Sequence, residues 1–410
     1  MGKVVSVLLA WMAAMWLVVG ALLAPVVPGG WAAVLALALL SAAPLAALVR
    51  GLGRGDYPSA AVRLVVLRPF WYAQLLLPLL AAAGALGAIA GAPFAAGGDA
   101  GRAAMLAVGV VYAVGMLAGY IGSRRLVVRH LDAAMPHLPA ALDGTRVVQL
   151  SDLHVGPHTP RRQLARIAAA TRAARPDLVA ITGDQVDDFA RDVEHFAAAF
   201  GGISAPLGVY AIAGNHDVYA GWEGVRAGME RMGVRVLVND AVRVERGGAS
   251  LWVAGTGDPA GRQRRDAATP APDVERTLAP IPASAVALVL AHNPVLWPDV
   301  VRRAAARGVR TVTLSGHTHH GQLSIPRLGW SLASPFLEHA MGAHREGEAL
   351  LYINPGTNYW GIPFRIGALP EVTVLTLRRA AAGEGAIVET QREPECLFGR
   401  HHGEGTRSAA

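Results

Sequence analysis

Five short polar clusters contain most of the residues in this sequence that could do chemistry. Each combines aspartate, histidine or asparagine with small residues, and each follows a short apolar run. They are Asp152-Leu153-His154, Gly183-Asp184-Gln185-Val186-Asp187, Gly214-Asn215-His216-Asp217, Ala291-His292-Asn293 and Gly316-His317-Thr318-His319-His320-Gly321-Gln322. Carboxylate, imidazole and amide groups suit Mn²⁺, Fe or Zn²⁺ and are poor ligands for copper(I) or iron–sulfur clusters. The clusters therefore predict a divalent-metal site.

The spacing inside the clusters suggests how they would face a metal. In an extended Asp-x-His segment alternate side chains share a face, so Asp152 and His154 could bind one ion together. Gly183, Gly214 and Gly316 would supply tight turns that direct the next side chain into the site. Taken singly, each candidate ligand could also be an ordinary turn or core residue. The prediction of a metal site rests on the whole set.

The apolar runs predict the strands that would position the clusters. The expected strands are Arg146–Leu150, Leu178–Thr182, Val209–Ala213, Leu251–Ala254, Val286–Leu290 and Val309–Leu314. A helix is expected over Arg161–Arg175, with Leu164 and Ile167 on one face. Strands that alternate with Ala-rich helical stretches predict an α/β domain, with the polar clusters at the strand ends.

In type and order, the clusters resemble the motifs of the calcineurin-like metallophosphoesterase family. That family's pattern is Asp-x-His, Gly-Asp-x-x-Asp, Gly-Asn-His-Asp/Glu, a lone His and Gly-His-x-His, and the resemblance covers roughly residues 145–377. The ending of the fifth cluster and the segment Arg365-Ile-Gly-Ala-Leu-Pro-Glu371 are similar to the bacterial YkuE-like branch, some members of which have N-terminal transmembrane helices. The resemblance implies two packed mixed β-sheets flanked by helices.

The resemblance also implies a binuclear metal centre with assigned ligands. One ion would be held by Asp152, His154, Asp184 and His319. The second would be held by Asp184, Asn215, His292 and His317, so that Asp184 bridges the two. His216 would contact a phosphoryl oxygen or protonate the leaving group, Asp217 would orient His216, and Asp187 would be a hydrogen-bond acceptor behind the ligands. His320 replaces a glycine of the family pattern, which affects the expected conformation of its loop.

Such a centre would favour hydrolysis of a phosphate ester. Two divalent ions about 3.5–4 Å apart make hydroxide available at neutral pH and stabilise the attacking and leaving oxygens at phosphorus. Two ions, two carboxylates and one hydroxide leave a net charge of about +1, which suits an anionic substrate. The cofactors are therefore expected to be two divalent ions, with Mn, Fe and Zn all open.

Two further groups of residues are candidates for substrate binding. Arg262, Arg264 and Arg265, in the polar stretch 257–272, could steer a phosphate or lipid headgroup, although an ordinary solvated loop has the same composition. Five aromatic residues after the fifth cluster could form an apolar wall for an acyl chain or base, or simply pack in the domain: Trp330, Phe336, Tyr359, Trp360 and Phe364.

The first 122 residues are expected to form a membrane domain. They contain only eight of the 67 Lys, Arg, Asp and Glu residues. Four uncharged runs approach the ~20 residues that a bilayer-spanning helix needs: Val4–Val27, Trp31–Val49, Phe70–Phe94 and Ala103–Gly122. Arginines lie between the second and third runs and directly after the fourth. The positive-inside rule therefore predicts that both termini and the catalytic domain face the cytoplasm of a bacterial inner membrane.

Composition along the whole chain predicts four segments. Residues 1–122 would form the membrane domain, 123–144 a juxtamembrane linker, 145–378 the catalytic domain and 379–410 a disordered tail. The net charge of +7 concentrates in and beside the membrane domain, so it indicates topology, and no nucleic-acid partner is expected. A single cysteine, Cys396, excludes an intrachain disulfide and a Cys-based zinc module.

The sequence as a whole predicts a membrane-anchored, metal-dependent phosphoesterase that hydrolyses a phosphodiester or pyrophosphate. A small phosphorylated molecule or a lipid-linked substrate would fit. The alternative is a non-catalytic membrane scaffold or sensor that binds a phosphorylated ligand; degenerate ligands would be its signature, and the clusters show none. Transport through the helices is disfavoured, because none of the four runs carries the mid-span carboxylate or histidine that ion pathways use.

Overall fold

The computed structural model describes residues 2–45, 49, 57–263, 271–381 and 383–394. The chain divides into two compact units, Met1–Leu117 and Ala118–Ala410. The helices among the described residues are α1 (Gly2–Leu23), α2 (Gly30–Ala42), α3 (Arg68–Gly91), α4 (Gly97–Ser123), α5 (Arg161–Ala173), α6 (Val193–Phe200), α7 (Asn215–Arg231), α8 (Val274–Leu278) and α9 (Trp297–Arg307).

The first unit contains apolar helices of bilayer length. Three helical segments are long and apolar enough to cross a membrane: Val5–Leu23, Val62–Phe94 and Gly97–Ser123. They correspond to the first, third and fourth predicted runs. Within the unit, Val19 of α1, Leu77 of α3 and Met105 of α4 pack in one apolar cluster.

The prediction of a fourth spanning helix is not met by the described residues. In the second predicted run, Trp31–Val49, the structure has α2 over only 13 residues, which at 1.5 Å per residue is too short for a ~30 Å hydrocarbon layer. Residues 46–48 of that run lie outside the described part of the chain.

The second unit is built on two mixed sheets. The strands are β1 (Val127–Pro136), β2 (Arg146–Leu150), β3 (Leu178–Ile181), β4 (Val209–Ala211), β5 (Arg235–Val236), β6 (Asp240–Arg246), β7 (Ala249–Gly255), β8 (Val286–Leu290), β9 (Arg310–Ser315), β10 (Ser324–Ile325), β11 (Trp330–Ser331), β12 (Gly342–Glu346), β13 (Ala349–Ile353), β14 (Glu371–Ala380) and β15 (Ala386–Pro394). The seven-stranded sheet has the order β15-β1-β14-β2-β3-β4-β5, and the six-stranded sheet has the order β12-β13-β9-β8-β7-β6. Strands β2 to β5 are parallel, as are β7, β8, β9 and β13.

The two sheets pack face to face between two layers of helices. The inner core joins Val147 and Leu178 of the first sheet to Leu288 and Val312 of the second. The next residue along β2, Val148, faces α5 to α7 on the outside, as strand alternation requires. A third cluster packs α8 and α9 on the outer face of the second sheet. Central strands buried on both faces explain why the predicted strands read as uninterrupted apolar runs.

Two predicted boundaries are wrong. The segment 123–144, expected to be a linker, contains β1, which pairs in parallel with β14 over ten residues. The segment 379–410, expected to be a disordered tail, begins with the end of β14 and contains β15, which pairs with β1. Both β1 and β15 carry charged residues that remain partly exposed, and this lowered their apolar signal. Residues 395–410 lie outside the described part of the chain.

Candidate metal centre

The polar clusters follow the carboxyl ends of five strands, as predicted. Asp152 and His154 follow β2, Asp184 follows β3, and Asn215 follows β4 in the first sheet. In the second sheet, the predicted ligands after β8 and β9 are His292, His317 and His319. Parallel strands place these ends at one edge, so the two packed sheets contribute side chains to a single site.

Asp152, His154 and His319 form the first group of donor atoms. His154 Nε2 lies 3.0 Å from His319 Nε2, and His319 Nε2 lies 3.3 Å from Asp152 Oδ1. All three side chains are buried. Burial, followed in importance by the charge of Arg365, holds the pKa of His319 well below its usual value, so this imidazole is neutral, as a metal ligand must be.

Asp184 lies between the first group and a second one. Its Oδ2 is 3.6 Å from His154 Nε2 and 3.3 Å from His292 Nε2. Burial alone would raise the pKa of Asp184, but the neighbouring His292 holds it below the usual aspartate value. Asp184 is therefore a carboxylate within reach of both groups, which is the position that the predicted bridging role requires.

Asn215 connects the histidines of the second group. Its Oδ1 lies 3.2 Å from His292 Nε2 and 2.8 Å from His317 Nδ1. His292 Nδ1 lies 2.7 Å from the Thr182 carbonyl, which fixes that ring from behind. Burial, reinforced by the charge of His292, lowers the pKa of His317 to about 4. All seven predicted ligands are thus brought together.

The donor chemistry fits divalent metal ions. Buried carboxylates and imidazoles normally require a partner of opposite charge or a metal. Here the Nε2 atoms of His154 and His319 face each other at 3.0 Å. His154, Asp184 and His216 form a further group whose donor atoms lie within 4.8 Å of one another. The set contains only nitrogen and oxygen donors, which suits Mn²⁺, Fe or Zn²⁺.

The backbone that presents these ligands differs from the prediction. Asp152 and His154 have φ values of 52° and 40°, in the left-handed region, so the Asp-x-His segment is not extended. Gly214 is extended, with φ of −103°, and does not form a tight turn. It is needed for space, because a Cβ there would lie 2.1 Å from Asp184 Oδ1. Of the three cluster glycines, Gly183 has the left-handed φ, 96°.

Residues 145–321 match the family model described as calcineurin-like phosphoesterase. This region is a calcineurin-like phosphoesterase domain. A zebrafish (Danio rerio) relative named transmembrane protein with metallophosphoesterase domain is 35% identical over 59% of this chain and 55% of its own. The Bacillus subtilis uncharacterized metallophosphoesterase YkuE is 28% identical over 67% of this chain and 93% of its own. The chain thus spans little more than half of the zebrafish relative and most of YkuE.

Solved structures show a weaker likeness to the chain. The sulfate thiohydrolase SoxB of Thermus thermophilus is 14% identical, with a TM-score of 0.35 over 59% of this chain and 57% of its own. A 5′-nucleotidase precursor from the same organism is 16% identical, with a TM-score of 0.34 over 52% of this chain and 48% of its own.

In the phosphoesterase domain, His216 is partly exposed and lies beside the predicted ligands. Its backbone N–H donates to Asp184 Oδ1 at 2.8 Å, and its ring lies 4.7 Å from that of His154. Its Nδ1 lies 3.0 Å from the Asp187 carbonyl and 3.4 Å from Asp187 Oδ1. Asp187 Oδ1 is also 3.4 Å from His154 Nδ1. Asp187 is therefore placed to orient both rings, in line with its predicted role behind the ligands.

Asp217 does not have the predicted position beside the His216 ring. Its carboxylate accepts backbone N–H groups from Gln185, Val186 and Gly214 at 2.8–3.1 Å. Burial, followed by the charge of Asp184, raises the pKa of Asp217 to about 7. The residue ties together the loops after β3 and β4, and the orienting contact to His216 comes from Asp187.

Of the three predicted substrate-binding arginines, the structure describes Arg262. Arg262 is exposed in the turn Pro259–Gln263, and Arg264 and Arg265 lie outside the described residues, so their role stays a prediction. Of the predicted aromatic wall, Trp360 approaches the site, with its ring 5.6 Å from that of His216. Tyr359 is buried, and its hydroxyl donates to the His158 carbonyl.

Sequence reasoning missed two residues at this site. Tyr219, in the first turns of α7, places its ring 5.9 Å from His216. Arg365 is fully buried and contacts His319. Position three after His216 on a helix could have pointed to Tyr219. Arg365 begins the YkuE-like segment noted in the sequence, which gave a family signal but no role.

Proposed function

We propose that this chain is a membrane-anchored phosphoesterase that hydrolyses a phosphodiester or pyrophosphate with two divalent metal ions. One observation carries the proposal: two groups of buried nitrogen and oxygen donors meet at Asp184, at the common edge of both sheets. Membership of the domain in the calcineurin-like phosphoesterase family supports the same reaction.

The ligands would divide between two ions. Asp152, His154, Asp184 and His319 would hold one, and Asp184, Asn215, His292 and His317 would hold the other. When bound, the ions supply Lewis acidity and an activated water for in-line displacement at phosphorus. Metal content measured by mass spectrometry distinguishes among Mn, Fe and Zn.

His216 would act on the substrate rather than on the metal. Its Nδ1 faces Asp187 at 3.0–3.4 Å, which leaves Nε2 for the phosphoryl group or the leaving oxygen. A ring oriented in this way can donate a proton to a departing alkoxide, a step that typically contributes 10²–10⁴-fold to the rate. His216 is also only partly buried, so a substrate can reach it.

The proposed substrate is anionic and lies at a bilayer surface. Three helices of bilayer length occur in the same chain as the phosphoesterase domain. A site tethered in this way favours a lipid-linked phosphodiester or pyrophosphate, although a small soluble phosphate ester would satisfy the same chemistry. The location we propose is the bacterial cytoplasmic membrane, with the domain on the cytoplasmic side because of the arginines that flank the helices.

The test is turnover of bis(p-nitrophenyl) phosphate by the full chain in detergent, with and without added Mn²⁺. Asp184→Ala is expected to lose both activity and bound metal, because both groups lose their shared carboxylate. His216→Ala is expected to keep both ions and lose at least about 10²-fold in kcat. Metal content by mass spectrometry separates the two effects.

The matched control is His195→Ala, an exposed histidine on α6, which should retain wild-type turnover and metal. Wild-type activity in Asp184→Ala would refute the mechanism. Metal binding without turnover of any phosphate ester in a panel that includes lipid phosphates would favour the non-catalytic sensor.

A further inference from the structure

We propose that residues 324–336, which we call the apolar hairpin, insert into the surface of a lipid bilayer beside the metal centre. This contact goes beyond the proposed function and rests on one part of it, the membrane anchor. The apolar hairpin follows the loop that carries His319, and it consists of β10, a short turn, β11 and the next five residues. Arg327 is the one charged residue in its sequence.

The two strands of the apolar hairpin bury serine and expose apolar side chains. In the register of β10 and β11, Ser324 lies opposite Ser331, and both serines are buried. Ile325 lies opposite Trp330, and both of these side chains are exposed. Antiparallel strands at the surface of a water-soluble domain show the reverse alternation, with apolar side chains toward the core and polar ones toward water. The reversal indicates that the outer face of the hairpin meets an apolar partner.

Exposed apolar side chains of the phosphoesterase domain are concentrated in the apolar hairpin. Leu328, in its turn, is 74% exposed, and Phe336, at its end, is 82% exposed. Among the described residues from 124 to 394, nine large apolar side chains are exposed, and five of them lie in the hairpin: Ile325, Leu328, Trp330, Leu332 and Phe336. Single exposed apolar residues are normal at a protein surface, whereas a contiguous patch marks an interaction site.

The composition of the apolar hairpin fits the interface of a bilayer that contains anionic lipids. Tryptophan is enriched at the level of the headgroups, where the ring meets an apolar phase and the N–H meets water. Arg327 lies in the same turn as Leu328, and a cation beside a membrane surface is attracted to anionic headgroups. Apolar side chains bordered by a cation are typical of segments that lie in the membrane interface.

The base of the apolar hairpin is joined to the end of α4, one of the helices of bilayer length. The end of α4 belongs to the same compact unit as the hairpin. The backbone N–H of Ser324 donates to the Ile366 carbonyl at 2.8 Å, and that of Arg365 donates to the Gly119 carbonyl of α4 at 2.8 Å. Phe364 packs so closely on α4 that a Cβ at Gly119 would lie 2.1 Å from its ring. Hairpin and helix therefore contact the same short segment.

The metal centre lies at the same edge of the domain. α4 ends at Ser123 and β1 begins at Val127. Because β1 is parallel to β14 and β14 is antiparallel to β2, β1 begins at the edge where β2 ends and Asp152 follows. The apolar hairpin also packs on the last ligand loop, since a Cβ at Gly321 would lie 2.6 Å from Leu332 Cβ. A bilayer in contact with the hairpin would therefore present its phosphate groups beside the predicted ligands.

Trp360 continues the exposed apolar surface toward His216. Its backbone N–H donates to Gln322 Oε1, and its carbonyl accepts from Gln322 Nε2, both at 3.1 Å. Its ring is exposed and lies 5.6 Å from that of His216. Gln322 directly precedes Leu323, which leads into β10. The apolar chain of a membrane lipid would thus meet apolar side chains from the hairpin to the proposed catalytic histidine.

The experiment measures the membrane depth of a nitroxide spin label on Leu328→Cys. The full chain, with Cys396→Ser to remove its single native cysteine, is reconstituted in vesicles of phosphatidylcholine and phosphatidylglycerol. Collisions of the label with oxygen and with a water-soluble nickel chelate report its depth. We expect the label to lie about 5–10 Å into the boundary between headgroups and acyl chains, where oxygen reaches it and nickel does not.

The matched control carries the same label on Ala283→Cys. Ala283 is exposed in the loop before β8, at the opposite end of that strand from the ligands. Its label should remain fully accessible to nickel. If Leu328→Cys does not fold, the same measurement on Phe336→Cys decides.

A label on the apolar hairpin that nickel reaches as readily as it reaches the control would overturn the inference. Shielding with spin–spin broadening that disappears on dilution with unlabelled chain would also overturn it, because a second copy of the chain would then cover the hairpin. A chain that carbonate extracts from the vesicles would refute the proposed anchor, and the inference with it. Turnover of bis(p-nitrophenyl) phosphate by the unlabelled chain tests the proposed hydrolysis separately, so the failures are distinguishable.

Discussion

At the scale of single residues, most of the predicted ligands have an unusual backbone conformation. Asp152, His154, Asp184, His317 and His319 all have φ between 40° and 67°. Each such residue costs of order 1–3 kcal/mol unless its surroundings compensate. Close packing by glycines and by the surrounding loops is therefore needed to hold the predicted ligands in this conformation.

Gly316 offers a test of whether close packing by a glycine holds the predicted ligands in place. A Cβ at this position would lie 2.0 Å from Ser151 Oγ and 2.1 Å from Asp152 Oδ2. Gly316→Ala is therefore expected to displace Asp152, to lower the free energy of unfolding by about 1–3 kcal/mol and to weaken metal binding. Chemical denaturation and metal titration measure the two effects.

Gly202→Ala is the matched control, because a Cβ there meets no atom within 4 Å. It should behave as wild type in both measurements. A Gly316→Ala protein with unchanged stability and unchanged metal affinity would show that the close approach is not needed.

The clustering of the predicted ligands at one edge of the sheets could be predicted from sequence, since the residue types and their order after strands are a local signal. The contact between Arg365 and His319 could not be predicted, because the two residues lie 46 positions apart in the chain and only the folded sheets bring them together. The partners of Asp217 were missed for a related reason. Asp217 is next to His216 in sequence, which suggested a contact between the two side chains. In the structure the Asp217 carboxylate instead accepts hydrogen bonds from backbone N–H groups of two loops.

At the scale of elements, β1 and β15 extend the first sheet beyond the predicted domain. β1 lies between β14 and β15, and Arg129 on it bonds the Tyr352 hydroxyl at 3.0 Å and lies 3.3 Å from Glu389 of β15. Central strands such as β3 and β8 were predicted because both faces are buried and apolar. The outer strands mix charged and apolar residues, so the same criterion failed there.

The role of β15 can be tested by truncation. A chain that ends after Gly383 lacks β15 and exposes the paired edge of β1, whereas a chain that ends after Pro394 retains it. The shorter chain is expected to melt on the order of 5 °C lower, for a loss of about 2 kcal/mol in a domain of this size. Equal melting temperatures for the two chains would mean that β15 contributes nothing to stability.

At the scale of the whole molecule, composition predicted three of the apolar N-terminal helices. Spanning a bilayer requires only length and apolarity, which a sequence shows directly, and three of the four predicted runs coincide with helices of sufficient length. The break in composition was placed at residue 122, and the two compact units divide at Leu117 and Ala118.

The proposed orientation leads to a test on membranes. With a C-terminal epitope tag, the phosphoesterase domain should resist trypsin in spheroplasts and be degraded in inverted vesicles, because the arginines beside the helices favour the cytoplasmic side. Spheroplasts permeabilised with detergent serve as the control for protease access. Degradation in intact spheroplasts would place the domain on the opposite face.

The predicted ligands of the centre come from both sheets and lie far apart along the chain, with His154 and His319 separated by 165 positions. During synthesis, the first ion's ligand set is therefore incomplete until His319 has left the ribosome. By then β1 to β9 have been made, whereas β12 to β15 of the two sheets follow later in the chain. Metal uptake would therefore be a late event in synthesis, because chains that stop before β9 lack both His317 and His319, one proposed ligand of each ion.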